Sequence, residues 1–247
     1  MTKKTELKIH GLNACLAVFK HRPDAIVRLY LTQPRLKTLA DVVKLCVQKR
    51  RAYHVMTNEE LADVAGATHH EGVCLVIKLP ELLTPQELNQ RAKLPGVWLA
   101  LEEVSNPHNL GAIQRSAAHF GAQGVFLIAP KASWETGAFY RTAEGGAEAV
   151  PMIPVESVEE LLELTKELGL PVYATAGGRG EDLYATKLPA RAVFLMGSEG
   201  PGLSPHALRS APKTLRIPGT GQVESLNVST ATALLLGEWY RQHGIKK

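Results

Sequence analysis

Two periodicities divide the 247-residue chain. Short, nearly unbroken apolar runs occupy residues 26–31, 72–77, 97–101, 125–128, 150–155, 172–176, 192–196 and 214–217, and they read as buried strands. Residues 53–55 form a shorter run of the same kind. Elsewhere apolar positions recur every three or four residues. Leu39, Val42, Val43 and Cys46 do so in a helix over 39–50, and Val228, Ala231, Leu235 and Trp239 in a terminal helix that Asn227 can cap. A helix-like run over 7–20 places Ala14, Ala17 and Val18 on one side after His10-Gly11. Further helices are expected from residue 58 and over 85–92, 110–120, 158–168 and 205–209. Such alternation specifies an α/β fold: a small α/β unit in front and a parallel, doubly covered sheet behind. Pro80, Pro85 and Pro95 mark the joint, giving a front domain over 1–79, a linker over 80–94 and a rear domain over 95–247.

Composition adds less. With 45% hydrophobic residues the chain has enough apolar material for real cores. It contains no run of about 20 apolar residues, and Met1-Thr2-Lys3-Lys4 leads into no apolar signal region, so a soluble, cytoplasmic protein with no membrane attachment is expected. Cys15, Cys46 and Cys74 lie far apart without a CxxC pair and read as reduced structural thiols. His69 and His70 adjoin Glu71, but no metal-ligand spacing emerges and no metal is expected. Charge is more telling. Residues 1–80 carry 13 Lys/Arg against 7 Asp/Glu, whereas residues 81–247 carry 15 against 17. A basic front half points to a polyanionic partner, and Lys49, Arg50 and Arg51 beside Tyr53 are its candidate RNA contacts.

Three strand-to-helix joints carry the candidate chemistry. In Asn109-Leu110-Gly111-Ala112-Ile113-Gln114-Arg115, Asn109 can cap a helix, Gly111 keeps its first turn bare for close backbone approach, and Arg115 presents a bidentate fork suited to phosphate. Residues 195–203 open a buried strand into a loop with Gly197, Gly200 and Gly202 and a single charge, Glu199. The loop is neither a Walker A loop nor a GxGxxG fingerprint. In the third joint, the strand ending at Ile217 passes through Pro218, Gly219 and Gly221 and delivers Ser225, Leu226 and Asn227 to the last helix. Loops at the carboxyl ends of strands are where an open α/β sheet holds its ligand.

These residues, Asn109-x-Gly111-x-x-x-Arg115, Met196-Gly197-x-Glu199-Gly200-x-Gly202 and Ile217-Pro218 followed by Ser225-Leu226-Asn227-Val228-Ser229, resemble the three ordered motifs of the SpoU (TrmH-type) RNA 2′-O-ribose methyltransferases of the SPOUT superfamily. The segment Arg141-Thr142-Ala143-Glu144-Gly145-Gly146-Ala147-Glu148 is similar to that family's Ala/Gly-rich segment, and the likeness covers about residues 95–243. The front half, through His10-Gly11 and His70-x-Gly72-Val73, resembles the ribosomal-protein-like substrate-binding domain of longer members. The resemblance implies a parallel-sheet domain with a deep trefoil knot, and a homodimer with its site at the subunit interface. It also implies S-adenosyl-L-methionine as cofactor, held by Gly197, Ile217 and Leu226 with Thr175 and Met196 nearby. Arg115 would activate the ribose hydroxyl, Asn109 would position it or the ribose, Glu199 would orient the site, and Ser225 and Asn227 would shape the pocket. The implied activity is 2′-O-ribose methylation of a structured RNA, ribosomal in preference to transfer RNA.

Two departures keep a second reading open. Many relatives carry Met after the Ile-Pro and a small or apolar residue before the Ser-Leu-Asn, where this chain has Gly219 and Glu224. A carboxylate at 224 would repel RNA phosphate unless Arg216 or Lys213 paired with it. The alternative is a catalytically weak or inactive RNA-binding protein that keeps the scaffold.

Overall fold

The computed structural model describes residues 6–130 and 134–244. The opening Met1-Thr2-Lys3-Lys4 lies outside the described residues. The front part builds one four-stranded sheet from β1 (Glu6–His10), β2 (Ile26–Thr32), β3 (Ala52–Met56) and β4 (Val73–Lys78). Its order is β1-β4-β2-β3, with β4 antiparallel to β1 and β2, and β3 parallel to β2. Helices α1 (Leu12–His21), α2 (Ala40–Gln48) and α3 (Asn58–Ala65) connect them. Strand β1 corrects the helix expected from residue 7. Leu7 and Ile9 are buried while Glu6 and Lys8 are exposed, a period of two that Gly11, at φ 97°, separates from the helix behind it. His70 is structural: its Nδ1 accepts from the Gly72 amide at 3.0 Å, while Nε2 lies 3.2 Å from the Asn58 carbonyl.

The rear part holds a seven-stranded, all-parallel sheet. Its strands are β5 (Gly96–Glu102), β6 (Gly124–Ile128), β7 (Met152–Val155), β8 (Val172–Thr175), β9 (Glu181–Asp182), β10 (Arg191–Met196) and β11 (Lys213–Arg216), in the order β7-β6-β5-β10-β8-β11-β9. Central β5 is buried along its whole length, and its residues alternate between two cores. Val97, Leu99 and Leu101 face the side that α5 (Pro107–His119) and α10 (Val228–His243) cover. Trp98 and Ala100 face the side covered by α8 (Val158–Glu167), α9 (Pro205–Ser210) and α4 (Pro85–Ala92), whose Leu88 and Ala92 are buried. An unbroken apolar run is the signature of a parallel strand covered on both faces.

Two helices were not foreseen. In α6 (Gly137–Ala143) and α7 (Gly146–Ala149) no apolar spacing marks a helix, and the glycines serve packing. A Cβ on Gly137 would lie 2.9 Å from the His10 ring, and one on Gly146 would lie 2.7 Å from the Gln114 carbonyl oxygen. Through these helices the front sheet docks on the rear one. Arg22, just past the end of α1, donates to both carboxylate oxygens of Glu148, at 2.5 and 2.9 Å, and the Glu148 side chain is 2% exposed. Within the front part, the Leu12 amide at the start of α1 donates to the Glu71 carboxylate at 2.7 Å.

Candidate active site

Helix α5 begins earlier than the apolar spacing suggested, and this changes the role of Asn109. Pro107 fits the first helical position because its missing N–H has no partner there in any case, and the Asn106 side chain caps the helix by accepting from the His108 amide at 2.9 Å. Asn109 therefore sits inside the first turn, not at the cap, and its amide is available for tertiary contact. Gly111 does permit a close backbone approach, but the visitor is α6: a Cβ there would lie 2.6 Å from Thr142 Cβ and 2.8 Å from the Phe139 carbonyl oxygen.

The glycine loop after β10 is folded tightly upon itself. A Cβ on Gly197 would stand 2.0 Å from the Gly202 carbonyl carbon and 2.1 Å from the Leu203 nitrogen, so hydrogen is the largest group this position admits. Gly200 and Gly202 are left-handed, at φ 87° and 71°. The Gly202 amide closes the loop by donating to the Ser198 carbonyl at 3.1 Å, which leaves Glu199 exposed at the tip. Behind it, the carboxylate of Glu102 at the end of β5 accepts from the Ser204 amide at 2.8 Å. Glu102 was not singled out in the sequence, where it looks like the first polar residue after a strand.

Asn227 joins the three loops. Its side-chain oxygen accepts from the Ser229 amide at 2.8 Å, the Ser229 hydroxyl at 2.6 Å and the Thr230 amide at 3.4 Å, capping α10 as expected. That bonding directs the amide nitrogen outward, where it donates to Asn109 Oδ1 at 3.2 Å and to Glu199 Oε1. The cap thus fixes which way the amide points. One residue of each motif meets at this hub.

The other candidates lie around it. Thr175 at the end of β8 donates to the Leu195 carbonyl at 3.1 Å and lies 3.5 Å from Met196 Sδ, tying β8 to β10. Ile217 is partly buried against the main core, and the loop beyond it runs over Gly177, where a Cβ would meet the Glu224 carbonyl oxygen at 3.2 Å. Ser225 and Leu226 are exposed on that loop, Leu226 by 45%. Arg115 is paired away from the hub: its Nη2 lies 3.1 Å from Glu144 Oε2. The partners suggested for Glu224 are committed elsewhere. Arg216 pairs with Asp182 at 3.5 Å, next to it on β9, and the Lys213 ammonium stands over the Tyr173 ring, 5.6 Å from its centre.

On the front sheet Lys49 and Arg51 both reach Asp24, at 3.2 and 3.4 Å, and Lys49 in particular holds that carboxyl below its ordinary pKa. Arg51 also donates to the Pro23 carbonyl at 2.7 Å, so it braces the sheet, while Arg50 is exposed with a left-handed backbone at φ 53°. A roomy cleft of about 760 Å³ lies away from the hub, lined by Arg35, Glu59, His69, Glu71 and Arg141 among others. Its lining carries two arginines and two carboxylates. Among the described residues no group of three or more His, Cys, Asp and Glu could hold a metal ion, and no helix is long and apolar enough to cross a membrane.

Comparison with known proteins shows the family to which the chain belongs. The SpoU rRNA methylase family matches residues 96–237, and the RNA 2′-O ribose methyltransferase substrate-binding family matches residues 8–83. The chain belongs to the SpoU rRNA methylase family. An Escherichia coli O157:H7 relative of this SpoU member, YfiF, described as an uncharacterized tRNA/rRNA methyltransferase, is 43% identical over 96% of the chain, which spans 69% of that relative's length. The 23S rRNA (guanosine-2′-O-)-methyltransferase RlmB of Pseudomonas putida is 32% identical, with 97% of the SpoU chain and 98% of RlmB covered. Among solved structures, an AdoMet-bound rRNA methyltransferase from Sinorhizobium meliloti superposes with a TM-score of 0.79 at 23% identity, over 96% of this SpoU chain and 87% of that one. At that identity the likeness establishes a shared fold.

Proposed function

We propose that this protein transfers the methyl group of S-adenosyl-L-methionine to a ribose 2′-hydroxyl of RNA, with ribosomal RNA as acceptor. The observation that carries the reading is the hub: Asn227 bonding Asn109 and Glu199 draws one residue from each of three strand-end loops to a single point. The names of the RlmB and YfiF relatives support the reaction and the acceptor class. The loops suit the cofactor, because the glycines let the chain turn tightly at the end of β10, while partly buried Ile217 and exposed Leu226 offer apolar surface. Bound there, S-adenosyl-L-methionine supplies an electrophilic methyl group on a sulfonium. The chain's task is then to hold the ribose oxygen in line and to stabilise negative charge developing on it. Arg115, permanently protonated, would act as an electrostatic partner that also clamps the adjoining phosphate, while Asn109 and Asn227 orient the ribose. The hydroxyl's proton would pass to solvent and the cofactor would leave as S-adenosyl-L-homocysteine.

In this reading residues 1–79 grip RNA, 80–94 join the parts and 95–247 hold the cofactor. Arg115, turned from the hub of its own chain, serves a site completed by a second copy in a homodimer. The insertion of β10 between β5 and β8 and of β11 between β8 and β9 is compatible with the trefoil knot expected from the motifs. Cytoplasmic residence follows from the acceptor. The test is Arg115→Ala assayed with tritiated S-adenosyl-L-methionine on unmethylated 23S rRNA, with cofactor affinity read by calorimetry. Removing one preorganised charge partner is expected to cost about 10²-fold or more in turnover with cofactor affinity unchanged. Unchanged turnover would refute the role of Arg115, and no transfer by the wild type to ribosomal or transfer RNA would refute the function.

A further inference from the structure

Glu144 stands at a conformationally costly position. It ends α6 in a left-handed conformation, φ 45° and ψ 43°, and Gly145 follows at φ 97°. A glycine would be cheaper at residue 144, yet the sequence places a carboxylate there. Its Oε2 receives Arg115 Nη2 at 3.1 Å and Asn13 Nδ2, from α1 of the front part, at 3.5 Å. The pair with Arg115 is a single contact in open solvent, with the two side chains 60% and 39% exposed. Glu148, four residues on, is the opposite case: its side chain is buried and held by Nε and Nη2 of Arg22. The same short segment therefore carries one carboxylate built as a latch and one built to exchange.

We propose that Glu144 is a placeholder for RNA phosphate on Arg115. In the free protein it holds and aims the guanidinium, and it yields when a phosphate arrives. The inference rests on the reading of Arg115 as the residue that meets the acceptor RNA. A phosphate presents oxygens that match the whole guanidinium fork, whereas Glu144 engages one arm, so the exchange favours RNA. Asn13 remains to receive the displaced carboxylate, which links release of Arg115 to α1 of the front part. Glu144 is thus a positioning residue that acts through Arg115, and it lowers affinity for RNA that does not reach that arginine.

The test is a double-mutant cycle on the full chain, read by anisotropy of fluorescein-labelled 23S rRNA fragments over a range of salt. Glu144→Gln is expected to tighten binding about two- to fivefold, the worth of one exposed ion pair, and to steepen the salt dependence by up to about one phosphate contact. Glu144→Gly should bind as Glu144→Gln does and melt at a higher temperature, since it relieves the left-handed backbone. In an Arg115→Ala background, Glu144→Gln should lose its effect. Equal tightening in both backgrounds would show a general charge effect and overturn the proposal, as would no tightening in the wild-type background. If Arg115→Ala itself leaves RNA binding and methyl transfer intact, the reading of Arg115 fails instead.

Discussion

Asn227 performs two tasks with two different atoms, so a single substitution can separate them. Its oxygen caps α10, and its nitrogen holds Asn109 and Glu199. Replacing it by alanine removes both. The lost cap should cost about 0.5–2 kcal/mol, or about 2–4 °C of melting temperature per kcal/mol in a chain of this size. Aspartate keeps the capping oxygen and adds a charge that a helix N-terminus favours by about 0.3–1 kcal/mol. It nevertheless turns the donor into a second carboxylate facing Glu199. A lost hydrogen bond to a charged acceptor is worth about 1.5–3 kcal/mol, and the like charges add repulsion that solvent at this exposed site screens to about 1 kcal/mol. Asn227→Asp therefore keeps the cap but should lose about 2–3 kcal/mol of stability through the hub, while methyl transfer falls about thirtyfold, the rate equivalent of about 2 kcal/mol. Scanning calorimetry and a tritiated-methyl assay on 23S rRNA read the two effects separately. Full turnover in Asn227→Asp would show that the hub has no part in the chemistry, and wild-type stability in Asn227→Ala would remove the cap argument.

Gly197→Ala forces a Cβ to within 2.0 Å of backbone that no rotamer change can move, so it should destabilise the fold by about 1–3 kcal/mol and abolish cofactor binding. Gly219→Ala, which opens onto free space, should stay within about 0.5 kcal/mol of wild type; equal effects in urea denaturation would contradict the packing described. Burial pushes the Cys74 thiol up to about 11, whereas in an unfolded chain it ionises near 8.5. The protonated thiol therefore supports the fold fully below about pH 8.5, and that support is lost as pH rises toward about 11. Urea midpoints between pH 8 and 10.5 should fall more steeply for the wild type than for Cys74→Ala, and parallel profiles would refute the assignment.

Apolar periodicity alone determined most of the secondary structure. The runs now seen as β5, β6 and β10 could only be strands covered on both faces, because any exposed edge of such a run would place large apolar groups in water. The three glycine-bearing motifs and their order were legible too, since strand ends, caps and left-handed turns are encoded within a few residues. Segments stabilised by contacts distant in sequence were not legible. Strand β1 is fixed by pairing with β4, some 68 residues away, and α6 and α7 by glycines that let helices touch. The site divides in the same way. Asn109, Glu199 and Asn227 could be named from their motifs, but their meeting at one amide depends on Pro107 starting α5 early and on the cap that turns Asn227 outward. That Arg115 rests on Glu144 and that Arg216 is taken by Asp182 were decided only by the tertiary structure. Ion pairs across a fold depend on where backbones bring side chains, and no local pattern carries that information.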